Sequence, residues 1–85
     1  MHYKKGDLVM EQIYLILEDL RPEFDFREST DYVEDGYLDS FDIVSIISII
    51  EETYDIRIDG LDVLPENFMN AEAILNLIKK SGGNI

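Results

Sequence analysis

Apolar residues recur at helical spacing in three stretches of the chain. From about Asp7 to Leu20, the residues Val9, Ile13, Ile16, Leu17 and Leu20 line one stripe of a helix. Leu8 and Leu15, seven residues apart, fall to one side of that stripe and are expected to widen it. Pro22 ends the helix, because it biases Arg21 away from helical dihedrals. Residues 21–39 follow without periodicity, with Phe24, Phe26, Tyr32, Val33 and Leu38 as isolated apolar anchors. A loop this long is uncommon in a compact domain and is often functional. Its anchors imply that it is packed down rather than disordered.

The second stretch predicts a helix from Asp39–Ser40 to Tyr54. Asp and Ser are both preferred N-caps. On a helical wheel Ile43, Ile47, Ile50 and Tyr54 form the centre of the expected buried face, with Ile46 beside them. Asp42, Ser45, Ser48 and Glu52 fall on the opposite, polar side, together with Phe41 and Ile49. Isoleucine is β-branched and also suits a buried strand. The length of the run, its spaced serines and the closing Glu51-Glu52 favour the helix.

Asp55–Glu66 reads as a connection, from which Ile56, Ile58, Leu61 and Leu64 are expected to plug the core. A short helical turn is predicted at Pro65–Met69, since proline fits a first helical position. Asn70 caps a last helix from Ala71 to about Lys80, with the stripe Ala71, Ile74, Leu75 and Ile78. Glu72 near its start and Lys79-Lys80 near its end complement the helix dipole. Glycines 82 and 83 end it, and residues 81–85 are expected to fray. The sum is an all-α chain, residues 1–85 in one domain: a small three-to-four-helix bundle with a long loop between helices one and two.

Charge changes this picture more than size does. The 85 residues carry a formal net charge of -12. Residues 28–72 hold 13 acids and one base, Arg57, while the rest is balanced by Lys4, Lys5, Arg21, Arg27, Lys79 and Lys80. Such a surface repels nucleic acid and anionic membranes and attracts basic protein patches. There is no cysteine, so no disulfide, thiolate metal site or cysteine nucleophile exists. No run reaches the length of a membrane span. The opening Met-His-Tyr-Lys-Lys-Gly-Asp lacks the apolar core of a signal peptide, so a cytoplasmic location is expected.

Candidate chemistry concentrates in Asp35-Gly36-Tyr37-Leu38-Asp39-Ser40-Phe41-Asp42. The segment puts one serine hydroxyl where the long loop enters a helix, and helix-start N–H groups favour a phosphate there. A serine in that place is most often only a cap. Here Asp39 can cap unaided, and Phe41 offers an apolar contact where solubility asks for a polar one.

The run Asp39-Ser40-Phe41-Asp42, followed by an apolar helix ending Glu51-Glu52-Thr53-Tyr54-Asp55-Ile56-Arg57-Ile58, resembles the acyl carrier and peptidyl carrier protein family. The family pattern is Asp-Ser-(Leu/Met/Phe) at the start of the second helix, an acidic helix end, an aromatic, and an apolar-x-apolar connection. The likeness continues through Leu64-Pro65-Glu66-Asn67-Phe68 and the last helix. It implies a covalent 4′-phosphopantetheine arm, taken from coenzyme A, on Ser40. It also implies a non-catalytic, monomeric carrier that holds acyl or aminoacyl cargo as thioesters. The implied partners are a phosphopantetheinyl transferase and an adenylating ligase, acyltransferase or synthase with a basic docking patch. Asp39 and Asp42 lie where family members meet the transferase and its metal. Phe41, Ser45, Ile49 and Glu52 complete the expected partner-facing surface. Fatty-acid carriers commonly have an acid five residues after the serine and often methionine eight after; here those are Ser45 and Ser48. The form Leu38-Asp39-Ser40-Phe41-Asp42 looks more like stand-alone carriers served by an adenylating ligase, D-alanyl carriers included. The pathways such carriers serve are lipid, nonribosomal peptide and cell-wall D-alanylation biosynthesis.

Two other function classes compete. An EF-hand-like calcium protein would use Asp31, Asp35, Gly36, Asp39 and Asp42, or Asp55, Asp59, Gly60 and Glu66, at loop spacing. Val33 and Arg57 then stand where an oxygen ligand belongs, and Pro65 crowds the second loop. A purely structural, acidic interaction domain explains the fold and the charge but not the placement of Asp-Ser-Phe. A serine hydrolase lacks parts: the one histidine is His2, an ordinary terminal residue on this reading, and no Gly-x-Ser-x-Gly turn is present.

Overall fold

The computed structural model of the chain describes residues 5–83. It contains three α-helices: α1 (Lys5–Leu20), α2 (Ser40–Tyr54) and α3 (Ala71–Lys80). Two short 3-10 turns, Gly60–Asp62 and Pro65–Asn67, lie in the connection between α2 and α3. The predicted helices thus form close to their predicted bounds, and the described chain is all-helical. His2 lies outside the described residues, as do Asn84 and Ile85. None of the helices among the described residues is long and apolar enough to cross a membrane.

The core gathers Val9, Ile13 and Leu17 from α1, Ile46 and Ile50 from α2, and Ala71, Ile74, Leu75, Leu77 and Ile78 from α3. Phe26, Tyr32 and Leu38 from the long loop and Phe68 from the connection close it. α1 packs chiefly on α3 and less extensively on α2. The asymmetry reflects how apolar residues are arranged: α3 gathers five buried residues on one face, whereas α2 buries only Asp42, Ile46 and Ile50. The ends of α3 are set locally. The Asn70 side chain accepts the Ala73 N–H at 2.8 Å. At the other end Gly82 takes φ +96, and the N–H of Gly83 returns to the Ile78 carbonyl at 2.8 Å. Residues 81–83 are therefore a hydrogen-bonded turn.

The long loop is ordered by its aromatics. Phe24 stacks on Tyr37 with centroids 4.5 Å apart, and Phe26 meets Tyr32 edge-on at 5.0 Å. The Tyr32 hydroxyl donates to the Phe26 carbonyl at 2.9 Å, and the Tyr32 N–H reaches Met69 at 2.7 Å. Burial, reinforced by nearby Tyr14, pushes the Tyr32 phenol up to about 12.

Four expectations are corrected. Leu8 and Leu15 do not widen the α1 stripe; they are 52% and 57% exposed, because no element covers that side of the helix. Leu61 and Leu64 do not plug the core and are exposed as well. The 3-10 turns hold the connection on the surface, and only Ile56 and Ile58 pack inward. The buried face of α2 is centred on Asp42, Ile46 and Ile50, with Ile43, Ile47 and Tyr54 at its edge. Finally, Asp42 is not on the solvent side. It is 6% exposed, because an arginine from the end of α1 draws it inward.

Candidate functional site

The site is the joint where the loop enters α2. Leu38, buried, anchors the chain two residues before Ser40. The Tyr37 and Leu38 N–H groups both return to the Tyr32 carbonyl, at 2.8 and 3.2 Å. Asp39 is extended, with φ -108 and ψ -175, and is the N-cap. Its carboxylate accepts the Asp42 N–H at 2.9 Å. The Asp42 carboxylate accepts the Asp39 N–H at 3.0 Å. This reciprocal cap satisfies two backbone donors that a helix start otherwise leaves open.

Ser40 follows the cap as the first residue of α2 and is exposed. Capping falls to Asp39 and Asp42, so the serine hydroxyl is spared that work. Phe41 is 85% exposed. Beside the serine, Ile43, Val44, Val63, Leu64 and Pro65 line a shallow, mostly apolar groove of about 230 Å³. Val44 and Val63 entered no sequence argument for the site. Both are apolar residues left partly outside the core, and only the folding of the connection against α2 makes them neighbours of Ser40.

Arg21 is the feature that sequence reasoning missed. Its Nε donates to Asp42 Oδ1 at 3.0 Å, and its Nη2 to Asp42 Oδ2, also at 3.0 Å. The same Nη2 lies 3.5 Å from Asp39 Oδ2. This is a two-pronged, charge-assisted grip on a carboxylate, a geometry that arginine alone supplies. Burial pushes the Asp42 carboxyl up. The Arg21 hydrogen bonds, the Asp39 N–H and the Arg21 charge together outweigh it and hold the group below the ordinary aspartate range. The one sequence signal was the scarcity of bases near the acidic middle of the chain.

The remaining sequence-predicted surface is partly assembled. Glu52 and Ser48 are exposed along α2, while Ser45 and Ile49 are half-buried. The calcium-loop residues do not converge. Asp31 caps its own turn, accepting the Val33 and Glu34 N–H groups at 3.1 and 3.0 Å, and Asp42 is committed to Arg21. Among the described residues no three acidic or histidine side chains are grouped so as to hold a metal ion. A second depression of about 270 Å³, lined by Asp31, Val33, Glu34, Pro65, Glu66 and Met69, offers carboxylates but no hydroxyl, amine or imidazole. Compared with known proteins, the chain matches no protein-family model and none of the curated proteins.

Proposed function

We propose that the chain is a stand-alone carrier protein, modified on Ser40 with 4′-phosphopantetheine and loaded with acyl or aminoacyl cargo by partner enzymes. The observation that carries this reading is an exposed serine at the start of α2, relieved of capping by Asp39 and Asp42 and bordered by an apolar groove. The likeness of Asp39-Ser40-Phe41-Asp42 and the following helix to carrier proteins supports it. In the modification, the Ser40 oxygen attacks the pantetheine-side phosphorus of coenzyme A. A serine–phosphate ester forms, the pyrophosphate bond breaks, and adenosine 3′,5′-bisphosphate leaves; the serine proton passes to a base on the transferase. The arm supplies a thiol for thioester formation. The chain's part is to present the serine, to offer Ile43, Val44, Val63 and Leu64 as an apolar rest, and to attract basic enzymes with its acidic surface.

Intact mass after incubation with a broad-specificity phosphopantetheinyl transferase and coenzyme A tests the reading. One phosphopantetheine per chain is expected, and none on Ser40→Ala. Modification of Ser40→Ala, or of Ser45 in the native chain, overturns the site assignment. No gain at all, with an active transferase, leaves the acidic interaction domain as the better account.

A further inference from the structure

We propose that Arg21 is the positioning residue of the Ser40 site. Its guanidinium grips Asp42 through two 3.0 Å hydrogen bonds and reaches Asp39 at 3.5 Å. It thereby holds the turn that presents the serine hydroxyl. The inference rests on the reading of Ser40 as the attachment site.

Three observations carry it. First, the Asp42 side chain is buried, and a buried carboxylate needs a matched cation. Among the described residues, no other cation is paired with Asp39 or Asp42: Arg27 is spent on Glu11 and Glu18, and Lys80 on Asp62. Second, Arg21 is itself fixed. Its N–H bonds the Leu17 carbonyl at 2.9 Å at the end of α1, and Pro22 follows. The grip therefore ties the end of α1 to the start of α2 across the whole long loop. Third, Arg21 sets one positive charge against the acids on both sides of Ser40, firmly on Asp42 and more loosely on Asp39, and so offsets part of their charge. Unpaired, those acids would oppose a phosphodiester on the serine.

A positioning role and a simple charge role differ in sign. Loss of Arg21 makes the chain more negative, which favours encounter with a basic enzyme and lowers KM. Loss of positioning lowers the fraction of molecules presenting the serine correctly, which raises KM and spares kcat. Lysine keeps the charge but not the two-pronged geometry.

The experiment compares the full native chain with Arg21→Ala and Arg21→Lys by two measurements. One is amide hydrogen exchange in the unmodified proteins. The other is kcat and KM for phosphopantetheine transfer. In Arg21→Ala the Asp39 and Asp42 amides are expected to exchange about tenfold faster, while the Ile74–Ile78 amides do not change. KM is expected to rise about tenfold with kcat within about twofold. Arg21→Lys is expected to lie between, and it serves alone if the alanine variant does not fold. Unchanged exchange at Asp39 and Asp42, a lower KM, or full rescue by lysine overturns the proposal. If the native chain accepts no arm, the carrier reading falls. The exchange result then still decides whether Arg21 holds this turn.

Discussion

Asp42 serves two purposes with one carboxylate: it closes the reciprocal cap of α2 and it receives Arg21. Its proton affinity is lower in the folded chain than in an unfolded one. The stability it contributes is therefore fully present above about pH 4, the ordinary aspartate value, and is lost as pH falls below that. Asp42→Asn should cost about 1–3 kcal/mol at pH 7 and flatten the loss of stability in acid. Denaturant unfolding at neutral and acid pH reads both, and an equally steep acid slope in the variant would assign that slope to other groups. Phe41, one residue after the serine, is the opposite case. It is 85% exposed, so its removal takes little from the core. Phe41→Ala should leave the melting temperature nearly unchanged and, on the proposed carrier function, weaken loading of the arm, because exposed aromatics anchor transient interfaces. A large fall in melting temperature would contradict its surface role.

At the scale of elements, the helix ends contrast. α3 stops on Gly82 at φ +96, where glycine is at ease. α2 stops on Asp55 at φ +54, where a side chain is strained. The turn is nonetheless well bonded. The Asp55 and Ile56 N–H groups both return to the Glu51 carbonyl. The Glu51 side chain also accepts the Ile58 N–H at 2.9 Å. Asp55 further places a negative charge at the negative end of the helix dipole. Asp55→Gly relieves both and should stabilise the chain by about 1 kcal/mol, a rise of roughly 4–8 °C in melting temperature. A fall would show that the aspartate makes a compensating interaction.

For the whole molecule, the radius of gyration is 12.1 Å, close to the roughly 12 Å of a compact chain of this length. Into that volume the chain folds a middle segment with 13 acids and one base. The observed ion pairs bring in Arg21 and Lys80 from outside that segment, to Asp42 and Asp62. That leaves the segment strongly negative, so self-repulsion opposes folding. Exposed pairs such as Arg27–Glu11 contribute little that salt could remove. Moderate salt or millimolar magnesium should therefore raise the melting temperature. An unchanged or lower value would mean that the acids are already well separated in the fold.

The sequence alone determined the helices, because their signals are short-range. The apolar periods, Pro22 after α1, the caps Asp39 and Asn70 and the closing glycines act within a turn or so of their own position. The same locality made Ser40 legible as an exposed residue at a helix start, beside an aspartate able to do the capping. Tertiary structure decided which way each surface faces. Leu8, Leu15, Leu61 and Leu64 all suit a core by hydropathy, yet all four stay exposed, and Leu64 only borders the groove beside α2. Asp42 looks like a solvent-facing acid, yet it is buried, because its partner Arg21 stands 21 residues earlier. Val44 and Val63 become one groove wall only when the connection folds back beside α2. Pairings over such separations depend on how the helices pack, and no local pattern of polar and apolar residues encodes them.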